Sequence, residues 1–117
     1  MNFVKQKAIY MQIADYIINN ILSEKYKAGD RLQSIRDLAS TVQVNPNTVT
    51  KSFNYLQDEG IIFNRRGIGF FVAEDAPEKT RAIKKQEFIQ GYLPEFFQMM
   101  DLLKIDFTEL ESIYNGK

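Results

Sequence analysis

The sequence contains neither cysteine nor histidine. With them go disulfides, thiolate and imidazole metal ligands, Cys–His nucleophile pairs and the usual general base near neutral pH. No pair of titratable groups suggests a catalytic pocket, so neither an enzyme nor a bound metal or cofactor is expected. No apolar run approaches the roughly 18 residues needed to span a bilayer, and the N-terminal stretch MNFVKQKAIYMQIADY lacks a signal-peptide core. The expectation is a cytoplasmic protein with no membrane partner. Low-complexity runs and internal repeats are missing too, which argues against disorder and against a repeat architecture.

What remains is an ordinary globular composition, with 44% hydrophobic and 26% charged residues in 117. That length accommodates one compact domain plus an extension, or one larger domain. The 15 basic and 15 acidic residues cancel, which at first argues against a polyanionic partner. Their distribution changes the picture. Between Lys25 and Arg66, seven cations (Lys25, Lys27, Arg31, Arg36, Lys51, Arg65, Arg66) face four acids (Asp30, Asp37, Asp58, Glu59), an excess of 7 − 4 = 3 positive charges.

Ile9, Ile13, Ile17 and Ile21 recur every fourth residue, the spacing of one helix face, and predict a helix from about Ala8 to Lys25 with these four in the core. YKAGDRL should end it, Gly29 supplying a positive φ and Asp30 a turn-forming side chain. Ser34 then caps a short helix whose inward residues are Ile35, Leu38, Ala39 and Val42. After a tight turn at QVN comes VNPNTVT. Asn45 is a favoured N-cap, and Pro46 falls at the first helical position, where its missing N–H is not needed and its fixed φ already fits. A third helix therefore starts firmly. Val49, Phe53 and Leu56 form its buried side, Tyr55 flanks them, and Asn47, Thr48, Lys51 and Asn54 face elsewhere.

Beyond Gly60, two short β-forming stretches, Ile61 to Phe63 and Phe70 to Val72, flank a turn with Arg65, Arg66, Gly67 and Gly69, which reads as a β-hairpin with a basic tip. Composition shifts around EDAPEK, placing a boundary near Ala76 between a domain at 1–75 and a tail at 76–117. The tail is largely helical in spacing. Pro94 should bend or restart its helix near Tyr92, and Asp106 with Glu109 has the spacing of a capping box. Phe88, Tyr92, Phe96, Phe97, Met100 and Leu103 are more large apolar side chains than 40 residues can enclose alone. They could pack on the same subunit or form a twofold interface, and the second is favoured because symmetric homodimers are the commonest oligomers.

Helix, short helix, tight turn, helix with a polar exposed start, then a basic hairpin is the element order of a winged helix-turn-helix, mainly α with a small β-hairpin. In that architecture the partner is double-stranded DNA. Asn47 and Thr48 are short enough to reach base edges, Lys51 can reach a base or a phosphate, and Arg36 can contact the backbone or a guanine, or instead pair with a nearby carboxylate. Arg65, Arg66 and Gly67 would contact phosphates or a groove from the hairpin, and Asn45 serves first as cap.

These same residues resemble the DNA-binding domain of the GntR family of bacterial transcription regulators over Ile9 to Val72. The likeness rests on GDRLxS, RDLA, VNPNTV, LxxEGII and RRGxGxFV taken together. NPNTV with so short a tail resembles the YtrA-like subfamily, which implies DNA binding as a dimer through a two-helix tail. Many relatives carry arginines in the first turn of the third helix where this chain has Pro46 and Thr50, which implies a different operator from the better-known subfamilies. The family's usual proline before Ser34 is Gln33. The resulting expectation is a dimeric, sequence-specific transcription regulator, more a repressor than an activator, on a palindromic operator, with any small-molecule effector unidentified. The alternative is a winged-helix interaction module that no longer binds DNA, supported by zero net charge and few charges on the third helix.

Overall fold

In a computed structural model, which describes residues 7–117, the chain runs α1 (Ile9–Leu22), α2 (Ile35–Val42), α3 (Pro46–Asp58), β1 (Ile62–Arg65), β2 (Gly69–Val72), α4 (Ala76–Glu87), a π-helical turn (Phe88–Tyr92), α5 (Leu93–Leu103) and α6 (Phe107–Asn115). Residues 1–6, the head of the stretch read as lacking a signal-peptide core, lie outside the described residues. Two compact units divide the chain, one ending at Ile83 and the other comprising Lys84–Lys117. The first continues past the composition shift near Ala76 because Ala76 and Thr80 are fully buried and Ile83 packs on the core.

The first unit is a winged helix built around α3, against which both α1 and α2 pack. Val49, Phe53 and Leu56 on α3 are completely buried, as the spacing predicted, and meet Ile13, Ala14, Ile17, Ile18 and Ile21 of α1 and Leu38 and Ala39 of α2 in one core. Phe53 also meets Phe70 edge to face, with centroids 4.8 Å apart; burying such a ring contributes about 1.5–3 kcal/mol. Ile9 departs from its expected place in the core. It opens the first turn of α1 and is 53% exposed. The inward stripe is widened instead by Ala14 and Ile18.

Helix α1 also stops earlier than the expected Lys25. The Ser23 N–H closes on the Asn19 carbonyl, Glu24 turns left-handed at φ 66°, and the Tyr26 N–H returns to the Asn20 carbonyl. The Ser34 hydroxyl caps α2 by accepting from the Asp37 N–H at 3.1 Å. Gln33 donates from its amide to Thr41 Oγ1 at 3.3 Å. Gln43 takes a left-handed conformation (φ 57°), and the Val44 N–H bonds the Ala39 carbonyl, which makes the tight turn into α3.

Helix α3 ends in a Schellman motif. The Gly60 N–H bonds the Gln57 carbonyl and the Ile61 N–H the Leu56 carbonyl, both at 2.9 Å, while Gly60 sits at φ 72°. Leu56 and Ile61 are fully buried. The chain thus enters the hairpin with Ile61 already in the core.

The hairpin is longer than expected. Its register pairs Ile62 with Val72, Phe63 with Phe71, Asn64 with Phe70 and Arg65 with Gly69. Arg65 and Gly69 close the ladder, so the tip proper is Arg66, Gly67 and Ile68. The free edge of β2 is covered by the segment Gly29 to Leu32, expected only to turn the chain. Val72 N–H bonds the Asp30 carbonyl, Leu32 N–H the Phe70 carbonyl and Gly29 N–H the Val72 carbonyl, with a β-bridge between Arg31 and Phe71.

In the second unit, Pro94 falls in the first turn of α5, and the residues before it form the π-helical turn, in which the Leu93 N–H reaches back five residues to the Phe88 carbonyl. The proline has no N–H for an ordinary helical bond, so the helix restarts around it, as expected near Tyr92. Lys104 ends α5 in a left-handed conformation, and Asp106 caps α6 by accepting from the Glu109 N–H at 2.8 Å. None of the residues in the π-helical turn, α5 or α6 is buried.

Candidate nucleic-acid interface

The interface is built on the start of α3. Asn45 Oδ1 accepts the Asn47 N–H at 2.8 Å, and Pro46 follows at the first helical position. This cap fixes which side chains α3 presents. Asn47, Lys51 and Asn54, spaced i, i+4 and i+7, form an exposed polar stripe, with Thr48 half-buried on its flank. Thr50 turns its hydroxyl back onto the Pro46 carbonyl at 3.1 Å.

Two features missed at the sequence level hold this stripe in place. Lys51 Nζ lies 4.2 Å from the centroid of the Tyr10 ring, a cation–π contact with the first turn of α1. The buried Ser52 hydroxyl, next in the chain, donates to the Tyr10 carbonyl at 2.6 Å and also lies 3.1 Å from the Thr48 carbonyl. Tyr10 therefore ties α3 to α1 through its ring and its backbone. An aromatic residue directly after Ile9 was the available signal, but the partner 41 residues on is visible only in three dimensions.

Arg36 is exposed in the first turn of α2. On the hairpin, the Arg65 guanidinium lies over the rings of Phe71 (4.9 Å) and Phe63 (5.8 Å), which stack on each other at 5.8 Å. Arg66 and Gly67 occupy the exposed tip, Gly67 at φ 77° with open space where a Cβ would stand. The predicted residues thus come from α2, α3 and the wing of one compact unit. All but Thr48 are exposed.

The predicted tail residues lie in the other unit. Phe88, Tyr92, Phe96, Phe97 and Leu103 are exposed and Met100 is half-buried. Phe88 stacks on Tyr92 at 5.7 Å and Phe96 meets Phe97 edge to face at 6.2 Å. Beyond the interface, a cavity of about 190 Å³ is lined by Leu22, Tyr26, Lys27, Pro77 and Arg81 among others, below the roughly 300 Å³ at which small-molecule sites usually begin. Burial pushes the Tyr26 phenol above its ordinary range, with Tyr16 adding to the shift and a hydrogen bond from Asn20 opposing it. No helix of the described residues is long and apolar enough to cross a membrane.

A turn-linked helix pair whose second helix carries a capped, polar, solvent-facing start, followed by a basic two-stranded wing, defines a winged helix-turn-helix DNA-binding protein. The sequence profile described as "Bacterial regulatory proteins, gntR family" matches residues 9–72, more than half the chain, and the chain belongs to that family. The HTH-type transcriptional repressor YtrA of Bacillus subtilis is 34% identical over 110 residues, spanning 91% of this chain and 78% of that one. A GntR-family transcriptional regulator from Bacteroides thetaiotaomicron superposes with a TM-score of 0.79 at 39% identity, covering 93% of this chain and 95% of that one. YtrA from Sulfolobus acidocaldarius, a GntR-family transcription factor, superposes with a TM-score of 0.57 at 39% identity over 76% and 95% of the two chains. The chain is accordingly a YtrA-like, DNA-binding transcription regulator and not an enzyme.

Proposed function

We propose that this regulator is a repressor that binds a palindromic operator as a homodimer, one α3 entering the major groove of each half-site with the wing alongside. Asn47 and Thr48 read base edges, Lys51 reaches a base or a phosphate, and Arg36, Arg65 and Arg66 hold the backbone, with Gly67 allowing the wing close to the duplex. Asn45 contributes as the cap that aims the others.

The observation that carries the dimer is that α5 and α6, rich in Phe, Leu and Met, contain no buried residue. Apolar surface on that scale is stabilised by covering it. A twofold partner does so with the same patch, and two half-sites supply the affinity that one domain with an excess of three charges lacks. Phe88, Tyr92, Phe96, Phe97, Met100 and Leu103 form that interface. The name of the Bacillus relative supports repression.

Two substitutions test the assignment on DNA. Arg65→Ala should weaken binding evenly across sequences and lower the slope of log K against log salt by about 1, whereas Lys51→Ala, where it touches a base, should relax preference at one position per half-site. Unchanged binding by both variants would remove the site. Phe96→Glu should convert the dimer to monomer in light scattering; a persistent dimer would place the interface elsewhere.

A further inference from the structure

We infer that Arg31 is a positioning residue for the wing, a brace that sets the hairpin tip in its DNA-binding conformation before DNA arrives. The inference rests on the reading of the wing as part of the DNA interface.

A two-stranded hairpin is marginally stable alone in water, and here β1 and β2 are the whole sheet. The backbone bonds from Gly29, Asp30 and Leu32 secure β2 only as far as Phe70. Past that point, toward the tip, the added strand ends and the Arg31 side chain takes over. Its Nη2 donates to the Ile68 carbonyl. Its Nε lies 3.1 Å from the place a Cβ on residue 69 would occupy, so the guanidinium lies across Gly69, itself at φ 144°. The Ile68 N–H bonds the Arg65 carbonyl inside the turn at 2.9 Å. The tip residue is thus held on both sides, by the hairpin through its N–H and by Arg31 through its carbonyl.

The consequence for binding is entropic. A tip that is already ordered loses little freedom on docking, whereas each side chain ordered at an interface costs about 0.5–1.5 kcal/mol. Arg66 and Gly67 sit directly before Ile68, so fixing the Ile68 peptide fixes where they project. Arg31 acts through the wing, and its contribution exists only while the wing has contacts to make.

A double-mutant cycle with a solution control tests this on the full chain. Arg31→Ala should weaken binding to a selected operator up to about tenfold, the size expected when the tip must be ordered on docking. The same substitution in a chain already carrying Arg65→Ala and Arg66→Ala should cost less than about twofold, since the wing contacts it serves are gone. In the free protein, amide exchange at Gly67, Ile68 and Gly69 should accelerate in Arg31→Ala while that of α1 and α3 is unchanged. An equal loss in both backgrounds would identify Arg31 as a direct phosphate contact and overturn the brace. Unaltered exchange at the tip would overturn it too. The exchange measurement needs no DNA, so failure of the unmodified chain to bind any duplex would refute the operator reading while leaving the brace separately tested.

Discussion

Gly60→Ala perturbs the point where α3 hands the chain to the wing. At φ 72° Gly60 is in the left-handed region, where an L-residue with a Cβ is disfavoured by about 1–2 kcal/mol. Alanine also restricts the unfolded chain, which returns about 0.4–1 kcal/mol. The new Cβ would stand 2.5 Å from Lys79 Nζ, but that atom ends a flexible exposed side chain and can swing away. Its 3.4 Å contact with the Gly60 carbonyl is long and solvent-exposed, so losing it costs little. The net expectation is a loss of about 1 kcal/mol, or about 4–8 °C in Tm for a domain of this size. Urea unfolding followed by circular dichroism should show a lower midpoint with an unchanged slope. Gly60→Asn separates the two causes. It carries the same Cβ but tolerates the left-handed region better, so it should cost less than Gly60→Ala. Equal costs would assign the effect to Lys79, and an unchanged midpoint in Gly60→Ala would refute the Schellman account of this helix end.

Asn45→Ala removes the cap on the Asn47 N–H and should cost about 1 kcal/mol, while Asn45→Ser restores most of it; denaturant midpoints of the three chains decide. Tyr10→Leu and Lys51→Ala should be coupled by about 0.5–1 kcal/mol in a double-mutant cycle of stability, reflecting the 4.2 Å cation–π contact; strict additivity would show that the contact contributes nothing. Because burial raises the Tyr26 phenol above its usual value, its contribution to stability is complete below the unfolded value near 10 and falls away as pH rises through the higher folded value. The urea midpoint should therefore drop at alkaline pH less steeply in Tyr26→Phe than in the unmodified chain, and parallel profiles would refute the assignment.

The parts legible in the sequence are those decided by local chemistry. Asn45–Pro46, Ser34 with Asp37, and Asp106 with Glu109 mark helix starts because a cap is a short-range hydrogen bond, and each of these caps forms. The i, i+4, i+7 spacing of Val49, Phe53 and Leu56 likewise marks the buried face of α3. What escaped depends on distant partners. Arg31 sits in a stretch that looks like a turn, and its role needs β2 beside it; Ser52 looks like a solvated hydroxyl until α1 crosses α3 and offers the Tyr10 carbonyl. Ile9 shows the limit of periodicity, since a repeat says which face a residue is on but not whether that point of the face is covered. Arg65 moved from tip to strand because a hairpin's ladder length follows its register, which composition leaves open.

The most direct test of operator reading by a dimer is selection from a random duplex library at two salt concentrations, with the oligomeric state checked by light scattering. Enrichment of a twofold-symmetric site, bound by a dimer and weakened by added salt, is the predicted result. Enrichment of an asymmetric site bound by a monomer, or no enrichment by a folded dimer, would contradict it.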